Sequence, residues 1–175
     1  MVSVIGIDPS LTATGLAYVD GHTEVLDFSK GTLKLIKGDH RLLAIANNVA
    51  AMINPQMSKG LEGIHAVIED LPTHAHGAGK TGMVQGVIRL TLLESEIPYI
   101  AVTAATLKTF ATGKGNTPKN RLGIELYKRT GIDLTDDNEC DAWWLRELGL
   151  HRLGHPTVDL PKTHLRALDK LGDWL

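Results

Sequence analysis

Val4-Ile5-Gly6-Ile7-Asp8-Pro9-Ser10, followed by Thr14-Gly15, decides how this chain is read. The β-rich run from Met1 to Ile7 predicts a buried strand that ends at Asp8, where Pro9 forces a turn. Thr14 to Asp20 predicts a second strand, and Asp20-Gly21 is a hairpin signal. Thr23 to Leu35 predicts a third strand, long or interrupted near Gly31. Together these form an antiparallel meander with a carboxylate at the end of its first strand.

Beyond the meander the pattern alternates. Asp39 can cap a helix from about His40 to Met57, with Leu42, Leu43, Ile45, Ala46, Val49 and Ile53 at helical spacing. Ala66 to Glu69 is a short apolar strand ending in a second carboxylate. A loop rich in Pro, His and Gly (residues 71–79) precedes a helix from about Lys80 to Ser95, and Pro98 to Val102 is a fifth strand. Thr103 begins a short helix that ends near Gly113, and Pro118 suits the first residue of the next, about Lys119 to Thr130. Thr135 can cap a last core helix, about Asp136 to Leu148, with acids at the end its dipole favours. Three strands, then helix and strand in alternation, then helices, predict an α/β domain: a five-stranded mixed sheet, three strands antiparallel and the rest parallel, flanked by helices. Residues 1–150 form this domain; 151–175 are a tail whose Leu165, Leu168, Leu171 and Trp174 fit either a docked helix or a partner-binding segment.

Length and composition set the frame. The 175 residues, 43% hydrophobic and 22% charged, suit one soluble domain with a sizeable core. No apolar run approaches the roughly 20 residues of a membrane span, so a cytoplasmic location is expected. The lone Cys140 excludes an intrachain disulfide and lacks partners for structural zinc, which leaves a small buried residue. A net charge of −2 is unlike the usual nucleic-acid binder, but the charge is segregated. Lys108 to Arg129 holds six bases against one acid; Asp133 to Glu147 holds six acids against one base. Such adjacent blocks suit a protein that grips phosphates and holds divalent cations, or two solvated helix faces.

The carboxylates sharpen this. If the first and fourth strands are neighbours, Asp8 and Glu69 emerge at the same edge of the sheet. Asp137 and Asn138 stand four and three residues before Asp141, on one helix face at roughly 5–6 Å between Cβ atoms. Clustered carboxylates repel unless cations lie between them, and magnesium favours oxygen ligands shared with phosphate. Two such ions about 4 Å apart can hydrolyse a phosphodiester. Asp8 also fits a plain turn residue, and Asp137 and Asp141 fit helix-start acids. Glu69 is harder to dismiss, because a charge seldom ends an apolar core strand without a partner.

The opening stretch with Thr14-Gly15 resembles the first strand and hairpin of the RuvC family of Holliday junction resolvases. Val67-Ile68-Glu69, the Gly82/Gln85/Gly86 helix, Leu107-Lys108, Gly115-Asn116-Thr117-Pro118-Lys119 and Asn138-Glu139-Cys140-Asp141-Ala142 resemble its later motifs in order and spacing, from about residue 2 to 150. The resemblance implies a ribonuclease H-like fold and a homodimer that makes paired nicks in four-way, and other branched, DNA. It implies two magnesium ions per site, with manganese able to substitute. Asp8, Glu69 and Asp141 would be catalytic metal ligands. Asn138 stands where the family carries an acid or histidine, so Asp137 is expected as the fourth ligand, with Asn138 a weaker candidate. Lys119 would assist catalysis, and Lys108, Lys119, Lys114, Arg121 and, more weakly, Lys80 would contact DNA. Near Glu69 the family's junction-wedging aromatic is replaced by Asp70-Leu71-Pro72, His74 and His76. A branch-migration partner is not legible.

Rival readings exist. Gly77-Ala78-Gly79-Lys80-Thr81 imitates a phosphate-binding loop, but His74 occupies the position that needs glycine. His74 and His76 lack a third metal ligand nearby. Gly6 to Gly15 also resembles the first phosphate loop of actin-like and sugar-kinase ATPases, which need two such domains. A non-catalytic DNA-binding dimer is the third alternative.

Overall fold

The computed structural model describes residues 2–58, 63–71, 78–118 and 120–175. Five strands form one sheet: β1 (Ser3–Asp8), β2 (Ala13–Ala17), β3 (Thr23–Asp27), β4 (Ile64–Glu69) and β5 (Tyr99–Val102). Their spatial order is β3-β2-β1-β4-β5. The β1–β2 and β2–β3 pairs are antiparallel, and the β1–β4 and β4–β5 pairs are parallel. This is the expected mixed sheet.

Strand alternation sends side chains to two cores. Ile5, Ile7, Leu16, Ala66 and Ile68 face α1 (His40–Ser58) and α2 (Ala78–Glu94), which supply Ile45, Val49, Val84, Ile88 and Leu92. Val4, Val67, Ile100 and Val102 face the opposite layer of α3 (Ala104–Thr112), α4 (Asn120–Thr130) and α5 (Asp137–Arg152), built around Phe110, Leu126, Trp144 and Leu148. In α5 every residue from Ala142 to Leu150 is buried, so this helix is packed on all sides.

α5 lies unusually close to the sheet because glycines let it. A Cβ on Gly6 would stand 2.0 Å from the Ala142 carbonyl oxygen and 2.6 Å from the Arg146 nitrogen. One on Gly15 would stand 2.1 Å from the Asn138 carbonyl oxygen. From the helix side, a Cβ on Gly149 would stand 2.6 Å from Val4 and 2.7 Å from Val67. Only hydrogen at these positions permits backbone-to-backbone contact.

Two local readings need correction. The third strand was expected to run from Thr23 to Leu35, whole or interrupted near Gly31, but it stops at Asp27, and Thr32–Leu35 form a 3-10 turn. The Asp27 carboxylate accepts from the Ser29 N–H at 2.8 Å and the Ser29 hydroxyl at 2.5 Å, closing a turn that competes with further pairing. The cap of α5 is Asp136, not Thr135. Its carboxylate accepts from the Asn138 N–H at 2.8 Å. Thr103 and Gly113 cap α3 as expected, and Cys140 is buried, its thiol pushed up to about 12 chiefly by desolvation. The readings for residues 72–77, including His74 and His76, and for Lys119 lie outside the described residues. Among the described residues, no helix is long and apolar enough to cross a membrane.

The tail is docked. It carries the single-turn α6 (Lys162–Leu165), and Ala167, Leu165 and Leu168 complete the second core. Leu175 exchanges two backbone hydrogen bonds with Tyr99, covering the outer edge of β5. The His164 ring bonds the Phe110 carbonyl at 2.8 Å, and the Arg166 guanidinium donates to the Gly113 carbonyl at 2.8 Å. The start of the tail is held by Glu147, a fully buried carboxylate. It accepts from the Thr157 N–H and hydroxyl and the Val158 N–H at 2.6–3.1 Å, with His151 Nε2 at 3.3 Å.

Burial alone would raise the Glu147 pKa, but the donors from His151, Thr157 and Val158 outweigh it and hold the group below its ordinary 4.5. A carboxylate depressed on folding adds stability above its unfolded pKa and loses it as pH falls through the folded value. Urea midpoints should therefore drop as pH falls below about 4.5, and Glu147→Gln should flatten that drop while lowering stability at neutral pH. Gly6→Ala should cost roughly 3 kcal/mol by denaturant titration, because the clash is with backbone that no rotamer change relieves. An unchanged midpoint would mean that α5 does not rest on Gly6.

Candidate active site

Parallel pairing of β1 and β4 runs from Ser3–Ile64 to Ile7–Ile68. One residue further along, Asp8 and Glu69 end neighbouring strands whose spacing is about 4.8 Å. Both lie two residues beyond contacts with α5, Asp8 after Gly6 and Glu69 after Val67. The pleat therefore sends both carboxylates toward the same helix layer. There the first turns of α5 cross: Asn138 rests on Gly15, which pairs with Asp8, and Ala142 rests on Gly6. Asp137 and Asp141 stand on the adjoining stripe of that helix.

These groups line one cleft of about 210 Å³ with Ser10, Leu107 and Lys108. Asp8, Glu69 and Asp141 are half-buried, Asp137 is exposed, and each of the first three has its own interactions. Among the described residues no three His, Cys, Asp or Glu side chains are gathered closely enough to hold a metal ion by themselves. The carboxylates instead form the walls of an open cleft. The side chains that line it offer oxygen donors, together with one ammonium and apolar carbons. Among the described residues that line it there is no thiolate or imidazole. Such a donor set fits a hard divalent cation that takes part of its shell from substrate oxygens, and not a soft transition metal.

The surroundings fix the walls. Gln85, buried in α2, donates its side-chain N–H to the Glu69 carbonyl oxygen, and its Oε1 accepts from Arg89 at 2.8 Å. Arg89 also pairs with Asp70 at 2.9 Å, which ties that acid away from Glu69. Thr14 donates to the Ser10 carbonyl at 2.5 Å, bracing the turn after Asp8. Asn138 donates its amide to the Asp136 cap at 2.8 Å, leaving its carbonyl oxygen as the remaining acceptor on the cleft wall.

Of the sequence candidates, Asp8, Glu69, Lys108, Asp137, Asn138 and Asp141 come together. Lys119 lies outside the described residues, and the other described cations do not line the cleft. Lys114 is exposed on the loop after α3. Arg121 pairs with Glu125 at 3.5 Å, as do Lys128 and Arg129 at 3.4 and 3.3 Å. Half of the basic block thus converges on its single acid. Lys80 lines a separate cavity with Asp39 and Met83. Sequence reasoning gave Ser10, Gln85 and Arg89 no role. Ser10 was legible only as a hydroxyl two residues past a strand-end aspartate. The Gln85–Glu69 contact joins residues 16 apart and leaves no local signal.

Known proteins resemble this chain over most of its length. The family model for crossover junction endodeoxyribonuclease RuvC matches residues 4–139. The protein of that name from Chlamydia muridarum is 28% identical over 173 residues, covering 93% of this chain and 98% of the relative. That from Carboxydothermus hydrogenoformans is 24% identical over 163 residues, covering 87% and 98%. Among solved structures, T. thermophilus RuvC in complex with Holliday junction substrate aligns with a TM-score of 0.67 at 18% identity, over 91% of this chain and 100% of that one. Thermus thermophilus RuvC alone gives 0.65 at the same identity, over 90% and 99%. These likenesses establish the ribonuclease H-like fold. Its strand ends bring together the acids that the sequence had scattered, and the chain belongs to the RuvC family of crossover junction endodeoxyribonucleases.

Proposed function

We propose that this endonuclease resolves four-way DNA junctions, and related branched DNA, by metal-assisted hydrolysis of the phosphodiester backbone. The observation that carries the reading is the cleft in which Asp8, Glu69, Asp137, Asn138 and Asp141 face Lys108. The junction substrate is supported by the family and by the solved RuvC complex with a Holliday junction.

Asp8, Glu69, Asp141 and Asp137 hold magnesium, with manganese as a substitute, and Asn138 offers a neutral oxygen. When bound, two such ions stabilise the attacking and leaving oxygens of an in-line displacement. The half-buried strand-end carboxylates keep the cleft too negative for a phosphate to enter without cations. Lys108, on the opposite wall, offsets charge on the scissile phosphate. Lys119 assists there, and Lys114, Arg121 and Lys80 contact the backbone further out, positioning DNA without reading its sequence.

Paired nicks in a two-fold substrate call for two copies of the site. The outer stripe of α2 offers a self-complementary surface for a second copy. Met83, Leu90 and Leu93 are each at least half exposed, and Gly86 between them has open space above it. This spacing makes one continuous apolar face with room for close approach of a second helix.

Asp8→Asn should abolish cleavage of a labelled four-way junction in magnesium while leaving gel-shift affinity within about threefold. Wild type should cut the junction and spare plain duplex, and do neither in EDTA. Equal cutting of duplex would defeat the resolvase reading and spare the nuclease one. ATP turnover without DNA cutting would favour the actin-like ATPase. Junction binding with no cutting in either metal would favour the non-catalytic binder. Leu90→Glu should convert a dimer to a monomer by light scattering; a wild type that is already monomeric at assay concentration would remove the paired-nick mechanism.

A further inference from the structure

Beside the catalytic cleft lies a second, larger cavity of about 600 Å³, between α4 and the segment that leads into α5. The two share Asp137, so a strand whose phosphate occupies the cleft passes the mouth of the cavity. Its apolar surface comes from Ile124, Leu134 and the buried Cys140, and Tyr127 stands on its wall 58% exposed. An aromatic ring left this open beside a cavity is poised to cover something flat.

The polar groups decide what that something is. Asp133 and Asp137 line the cavity, and among the described residues its one cation, Lys128, is already paired with Glu125 at 3.4 Å. This wall is acidic and repels a phosphate. It accepts a neutral, planar group that carries hydrogen-bond donors on its edge. The side chains of Asn120, Asp133 and Thr135 take no hydrogen bond from the described residues, so their donors and acceptors are available to such a group. A volume of 600 Å³ exceeds what one water or ion needs and falls in the range of small-molecule sites.

We propose that this cavity is a nucleobase subsite. It takes one unpaired base of the cleaved strand, next to the scissile phosphodiester, stacked on Tyr127 with its amino edge toward Asp133. The proposal rests on the nuclease reading above and adds to it. The enzyme engages an extruded base as well as the backbone, and Asp133 favours bases with an exocyclic amino group over thymine.

The test combines a mutation with a substrate change. Four-way junctions carrying a single abasic site, scanned over three nucleotides on each side of the cut, are cleaved by wild type, Tyr127→Ala and Tyr127→Phe. One abasic position should slow wild type about tenfold, the size of a lost base–aromatic stack. Tyr127→Ala should slow the intact junction by a similar factor and show no further loss on that abasic junction. Tyr127→Phe should keep at least half of the wild-type rate, because the ring remains. An independent readout needs no cutting. With 2-aminopurine at the sensitive position, binding to Asp8→Asn should change its fluorescence, and binding to the Asp8→Asn, Tyr127→Ala double variant should not. A flat abasic scan with normal junction cutting overturns the subsite alone. Losses that multiply overturn it as well, since the ring and the base would then act separately. A wild-type protein that cuts no branched DNA in either metal sinks the nuclease reading and the subsite with it.

Discussion

The close seat of α5 on the sheet is the constraint from which the rest follows. Gly6 and Gly15 bring strand backbone against helix backbone, and Gly149 lets the far end of the helix settle over Val4 and Val67. A helix resting on larger side chains sits further from a sheet, and short acids on the helix then reach less easily into a cleft shared with short acids on the strands. Here Asp137 and Asp141 reach the same cleft as Asp8 and Glu69 because nothing larger than hydrogen intervenes. The glycines contribute no chemistry and determine whether the chemistry can assemble.

Around that contact the chain spends its polar groups on holding elements in place. Glu125 gathers Arg121, Lys128 and Arg129; Glu147 gathers the start of the tail; Arg89 and Gln85 brace the end of β4 from the opposite face. Each arrangement joins groups that would be costly to bury or leave unpaired. The net charge of −2 is unevenly spread: Asp8, Glu69, Asp137 and Asp141 gather in one cleft, while Arg121, Lys128 and Arg129 gather at Glu125.

Two cavities meet at Asp137, one lined by acids and Lys108, the other by apolar carbons and a tyrosine. Their chemistry differs because α4 presents different faces to them. Leu122 closes the catalytic side, while Ile124 and Tyr127 open toward the other. A polymer with alternating charged and flat groups can engage both at once.

The sequence by itself determined the elements and their order, because apolar periodicity, Pro9, Thr103 and Gly113 act within a few residues of their own position. It also marked Glu69, since a charge seldom ends an apolar core strand without a partner, while Asp8 and Asp141 stood out only through the resemblance to the RuvC motifs. It overran the third strand, because the Asp27–Ser29 turn competes with pairing in a contest that propensity does not score. Only the tertiary structure decided which cations face the cleft. Lys108 and Arg121 look alike in sequence, but one lines the cleft while the other bonds Glu125. It alone docked the tail, and it alone showed why Gly6 and Gly15 must be glycine. Contacts between residues more than 120 apart depend on how closely two backbones approach, a distance that no local pattern encodes.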